Sequence, residues 1–192
     1  ALFLVDRTGN ERWADLFRLT ASTLWRQLEW SPQRLCSYWT QDLYGRQSAY
    51  LGAVHGFVAT ALPLIRGRRL LDAESWKAWE RCIVDTVQRT ADRLGAHANW
   101  RPELGSPGDD GKKLLQFCHG APGVVICLAG MPGTALDELL LAAGETIWSA
   151  GPLTKGSNLC HGTGGNGYAM LKLYQRTHDS RWLERARSFA MH

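Results

Sequence analysis

From Glu11 to Trp30 apolar residues recur with a helical period, through Trp13, Leu16, Phe17, Leu24 and Leu28, with Thr20 in the same series. That spacing predicts an amphipathic helix, ended by Ser31-Pro32. Ser48 to Ile65 has a different texture. It is mostly apolar and small, which suits a helix buried on most sides. Asp72 to Leu94 is amphipathic again, with Trp76, Trp79, Ile83, Val87 and Leu94 on or near one face, Asp72 as N-cap and Gly95 as stop.

Ala96 to Lys113 is rich in Gly and Pro and reads as a loop, with Asp109-Asp110 as a turn. The alternation then resumes. Gly120 to Leu128 is small and apolar, and Ala135 to Trp148 amphipathic. Gly162 to Tyr174 is small and apolar, and Ser180 to Met191 amphipathic. No period-2 strand is read between them.

A repeat supports the same architecture. Arg7-Thr8 is followed by Arg12-Trp13, and Arg176-Thr177 by Arg181-Trp182, so RT-x-x-x-RW occurs twice. Each copy follows an apolar run and leads into an amphipathic stretch, as equivalent corners of repeated hairpins would. Buried helices alternating with amphipathic ones imply an all-α fold of stacked helical hairpins, an α/α toroid or part of one.

Composition narrows the function classes. The 192 residues suffice for one domain, and 45% hydrophobic with 21% charged residues is ordinary for a globular chain. Nine tryptophans read mostly as packing residues. The net charge of +4 is small, and the RGRR run at Arg66 to Arg69 reads as a solvated loop, so no nucleic-acid face is expected. No run is long enough for a membrane span, and no signal peptide is expected. Five cysteines without framework spacing fit a reducing cytoplasm. The chain opens on Ala1 and closes on His192 within a helical pattern, as a trimmed chain or a piece of a longer one would.

Three His-Gly elements carry the candidate chemistry: YLGAVHGFVA at Tyr50 to Ala59, QFCHGAPGVV at Gln116 to Val125 and SNLCHGTGGNGYAM at Ser157 to Met170. Each sits at or near the start of a small-residue helix, so all three gather at one end of the hairpin stack. A lone Cys-His-Gly there is ordinary packing; two such elements are a different matter. Cys118, Cys160 and His161 can converge on one point, and two thiolates with one imidazole satisfy zinc while leaving a fourth position open, the pattern of a catalytic site. His119 and His161 are not equivalent by spacing, and a tetrahedral ion that also takes a substrate has room for only one of them. The glycines permit a tight entry into each helix, whose dipole favours thiolate. Cys36, Cys82 and Cys127 lack this context and read as ordinary buried or half-buried thiols. His97 and His178 read as solvated.

With SAYLGAVHGFVA, LLQFCHGAPGVV and KGSNLCHGTGGNGYAMLKLYQRTHDSRWLERARSFA, nearly the whole chain resembles the lanthionine synthetase C-like (LanC-like) family. The resemblance implies an α/α toroid with one zinc at its mouth, held by Cys118, Cys160 and His161. It places His55 near the metal as a candidate acid or base. His119 stands where dedicated cyclases often have Tyr and stand-alone and eukaryotic relatives have His. Lys155 matches a basic position that contacts glutathione in the eukaryotic relatives.

The implied reaction adds a thiol, from a peptide Cys or glutathione, to dehydroalanine or dehydrobutyrine in a dehydrated peptide or protein, forming a thioether. His55 or His119 would protonate the resulting enolate. Family members are longer, so residues 1–192 read as a single toroid domain incomplete at both ends. Two other readings stand beside this one. The first is a zinc- and glutathione-binding or peptide-binding module without turnover. The second is an α/α-barrel glycosidase, which would need paired carboxylates that the glycine motifs do not hold.

Overall fold

The computed structural model describes residues 1–43, 45–105 and 113–192. Asp109-Asp110 therefore lies outside the described residues. The helices are α1 (Leu2–Thr8), α2 (Glu11–Arg26), α3 (Phe57–Arg66), α4 (Ala73–Thr90), α5 (Ala121–Leu128), α6 (Asp137–Ala150), α7 (Thr163–Thr177) and α8 (Ser180–Ala190). None of the described helices is long and apolar enough to cross a membrane.

Helix α5 lies between α3 and α7 and packs against α6, while α7 packs against α6 and α8. All eight residues of α5 are buried, which explains why its sequence shows no polar face. This is the expected stack of helical hairpins, an all-α fold of the α/α toroid type. The core runs through Phe57, Leu64, Ile83, Val125, Leu140, Ile147, Leu173 and Trp182.

The two RT-x-x-x-RW copies make the same corner. Thr8 Oγ1 donates to Leu4 O and accepts from the Asn10 amide; Thr177 Oγ1 donates to Leu173 O and accepts from the Asp179 amide. Between helices, Gly9 and His178 both take left-handed conformations, at φ 62° and 56°. Asn10 and Asp179 then cap α2 and α8 by accepting from the amides of Arg12 and Arg181. Each of these arginines lies over the ring of the tryptophan beside it. Arg176 ties the end of α7 to the α5–α6 corner, donating to Asp137 and to the carbonyls of Ala129, Met131 and Gly133.

The structure corrects the expectation that no strands intervene. Among the described residues, three antiparallel two-stranded hairpins join outer helices to inner ones: β1 (Glu29–Ser31) with β2 (Cys36–Tyr38), β3 (Gln41–Leu43) with β4 (Arg46–Ser48), and β5 (Ala91–Leu94) with β6 (His97–Trp100). Strands of three or four residues are too short to show a period-2 pattern. The amphipathic helix from Asp72 accordingly ends at Thr90 rather than Leu94. Gly95, expected as a helix stop, is instead a hairpin-turn residue at φ 57°, and part of the expected loop is β6. Trp100 Nε1 donates to Val87 O, and Thr146 Oγ1 bonds both the amide and the carbonyl of Ala98, so this hairpin is pinned to α4 and α6. Likewise α2 ends at Arg26, before β1, and α3 begins only at Phe57.

Candidate metal centre

The three His-Gly elements lie in the turns that enter α3, α5 and α7, and the main chain stitches them together. The Cys118 carbonyl accepts from the Ala53 amide at 3.2 Å, and the Cys118 amide donates to the Cys160 carbonyl at 3.4 Å. One residue of the middle element thus bonds both of the others. The approach is too close for side chains at the crossing: a Cβ on Gly52 would lie 2.1 Å from Cys118 O and 2.9 Å from His119 Nδ1. Gly120 enters α5 at φ 101°, a conformation that disfavours any L side chain, with Leu114 O 2.0 Å from where a Cβ would stand.

This crossing brings the donor atoms of Cys118, Cys160 and His161 within 4.8 Å of one another, with Cys160 Sγ 3.9 Å from His161 Nε2. A tetrahedral zinc with bonds of about 2.3 Å to sulfur and about 2.1 Å to nitrogen spaces its donors roughly 3.6–3.8 Å apart. Two soft sulfurs and an imidazole at this separation fit zinc after shifts within side-chain freedom. Cys118 is 5% exposed, Cys160 half-buried and His161 exposed, so the set opens toward solvent on the histidine side. Asn158 holds the last pair in place: its Oδ1 accepts from the His161 amide at 2.8 Å, and its carbonyl from the Gly162 amide.

Burial pushes the Cys118 thiol above its ordinary value, and a hydrogen bond from Gln116 opposes that rise. Gln116 is buried; its Nε2 donates to Cys118 Sγ at 2.9 Å, and its Oε1 accepts from Lys155 Nζ at 2.7 Å. Lys155 therefore reaches the centre from the exposed segment ahead of Cys160.

Beside the donors stand His55, His119 and Tyr50. Ring centroids are 6.3 Å apart for the two histidines, and 5.9 and 6.0 Å from Tyr50 to His55 and His119. His119 Nδ1 faces Gly52, buried and without a hydrogen-bond partner among the described residues. Burial and then the charge of His55 push His119 below its ordinary value, with Glu103 pulling the other way. The other cysteines stand apart from this cluster: all five are free, and Cys36, Cys82 and Cys127 are buried. His97 and His178 are exposed.

Sequence reasoning missed Gln116 and Tyr50. The signal for Gln116 is an amide inside the otherwise apolar run LLQFC, two residues before a candidate ligand. Tyr50 gave no signal apart from its place at the head of the first His-Gly element.

Known proteins resemble this chain along most of its length. The family model described as lanthionine synthetase C-like protein matches residues 10–192. The chain is 33% identical over 150 residues to glutathione S-transferase LANCL1 of Danio rerio, a match covering 75% of this chain and 35% of that protein. It is 37% identical over 105 residues to LanC-like protein GCL1 of Arabidopsis thaliana, covering 52% of this chain and 23% of that one. The chain thus spans well under half the length of these curated relatives.

Proposed function

This chain belongs to the lanthionine synthetase C-like family, and from that premise we propose that it activates a thiol for addition to dehydroalanine or dehydrobutyrine, with zinc as cofactor. The observation that carries the reading is the convergence of two thiols and an imidazole within 4.8 Å, beside two further histidines. Cys118, Cys160 and His161 would hold the ion. When bound, zinc supplies the Lewis acidity that keeps a thiol ionised at neutral pH.

The chain's own residues account for the protons. Addition forms one carbon–sulfur bond at the β-carbon, and the electrons of the double bond pass to the α-carbon. The thiol loses one proton and the α-carbon gains one. Two imidazoles with centroids 6.3 Å apart, His55 and His119, cover both transfers without another group. The glutathione named in one relative's activity is the thiol of choice here. Lys155 donates one of its three ammonium hydrogens to Gln116, which leaves two for a carboxylate of that tripeptide.

The test is direct. Zinc-loaded protein, glutathione and a dehydroalanine peptide are mixed, and the thioether adduct is followed by mass spectrometry. Adduct is expected to form faster than without protein. His55→Asn is expected to slow it about 100-fold at unchanged zinc content, the lower range for loss of a general acid or base. Saturable glutathione binding with no acceleration by the zinc-loaded protein would instead make this a binding module.

A further inference from the structure

We propose that Lys155 and Gln116 form a relay that orients and tunes the Cys118 sulfur as a metal ligand. The proposal rests on the reading of Cys118 as a zinc ligand and assigns two residues outside the donor set a positioning role in it.

The argument begins with the amide. Its oxygen and nitrogen ends have nearly the same shape, so only its partners decide which end faces the sulfur. An ammonium can only donate. Lys155 Nζ, 2.7 Å from Gln116 Oε1, therefore claims the oxygen end and turns Nε2 toward Cys118 Sγ, 2.9 Å away. With Lys155 gone, no other hydrogen bond among the described residues holds the oxygen end away from the sulfur, where lone pairs would oppose lone pairs.

The site makes this orientation consequential. Cys118 is 5% exposed and Gln116 4% exposed, so a sulfur anion there has little water to solvate it. An N–H donor on the lone pairs left free by a metal offsets that cost. The backbone keeps the amide within reach, because the Gln116 amide donates to His119 O at 3.1 Å and closes the loop around Cys118. Lys155 also lies five residues before Cys160. The relay therefore adds a side-chain link between the two cysteine elements alongside the main-chain bond from Cys118 to Cys160.

Cobalt(II) in place of zinc tests this without any assay of activity. The wild-type protein is expected to show an intense near-ultraviolet sulfur-to-cobalt charge-transfer band. Gln116→Leu is expected to shift that band to longer wavelength, since sulfur lone pairs deprived of a donor lie higher in energy. In competition with a chromophoric chelator its zinc affinity is expected to fall about tenfold, the lower range for loss of an outer-shell partner. Lys155→Met, on the exposed side of the amide, is expected to shift the band in the same direction with a smaller loss of affinity. A lysine serving only to contact glutathione would leave the band where it is.

Should Gln116→Leu fail to fold by circular dichroism, Lys155→Met decides alone. A wild-type band that neither folded variant shifts overturns the relay and leaves the metal site standing. A wild-type cobalt protein with no sulfur charge-transfer band overturns the ligand assignment, and the relay with it.

Discussion

Cys118→Ala and Cys160→Ala are each expected to bring the zinc content of the purified protein to background, while Cys127→Ala keeps one zinc per chain. Three protein donors are the minimum at catalytic zinc sites, and removing one thiolate from a set spanning 4.8 Å leaves one thiol and one exposed imidazole. Cys127 is the fitting control. It lies in buried α5 outside the donor set, with its thiol pushed up to about 12 by burial. Elemental analysis reads the result, and zinc retained in either ligand variant contradicts the assignment. Alkylation of the metal-free protein near pH 8 gives a second readout. Half-buried Cys160 is expected to react first and to be protected by added zinc. Cys82, pushed up to about 11 by burial, and Cys127 are expected to stay unmodified until the protein unfolds.

Gly52→Ala is expected to destabilise the protein by about 3 kcal/mol, the upper range for an added methyl group in a tight site, and to weaken zinc binding about tenfold. The added carbon meets the Cys118 carbonyl at 2.1 Å and its carbon at 3.2 Å, and these are backbone atoms that no rotamer change can move. Relief requires the turn into α3 to draw away from the middle element, which loosens the bond from the Ala53 amide to Cys118 O. Gly130→Ala is the control. A Cβ there meets nothing within 4 Å, so a change of no more than about 0.5 kcal/mol is expected. Urea denaturation and chelator competition measure the pair. A Gly52→Ala variant indistinguishable from Gly130→Ala would show that the two elements do not cross as closely as the structure has them.

These two outcomes depend on features the sequence displays very unequally. The corners were legible because a capping threonine, a left-handed residue and an N-cap follow one another in fixed order at Thr8–Asn10 and Thr177–Asp179. The inner helices were legible from their small, apolar composition, since α5 has no exposed face to encode. Convergence of the His-Gly elements followed from placing each at the entry to a buried helix. The crossing itself was not legible, because a glycine that makes room for a carbonyl 66 positions away looks like any other glycine.

The β-hairpins escaped notice for a different reason. Ala91–Leu94 continues the amphipathic run of α4 in composition, and what ends the helix is the pairing of that segment with His97–Trp100 and its anchoring on Thr146. Helix α2 shows a related limit. Its periodicity was right, but the buried positions are Ala14, Phe17 and Ala21, while Leu16 and Leu19 are exposed. Period alone gives a face, and the neighbours decide which part of it is covered. Gln116 is the instance closest to the chemistry. Its amide matters through Lys155, 39 residues away in sequence, so only the fold reveals the link.

X-ray absorption at the zinc K-edge, before and after saturation with glutathione, tests the thiol-activating zinc centre most directly. Two sulfur ligands at about 2.3 Å with nitrogen or oxygen completing the shell are expected at first, and three sulfurs once the thiol is present. A shell without sulfur, or a sulfur count unchanged by saturating glutathione, would contradict it.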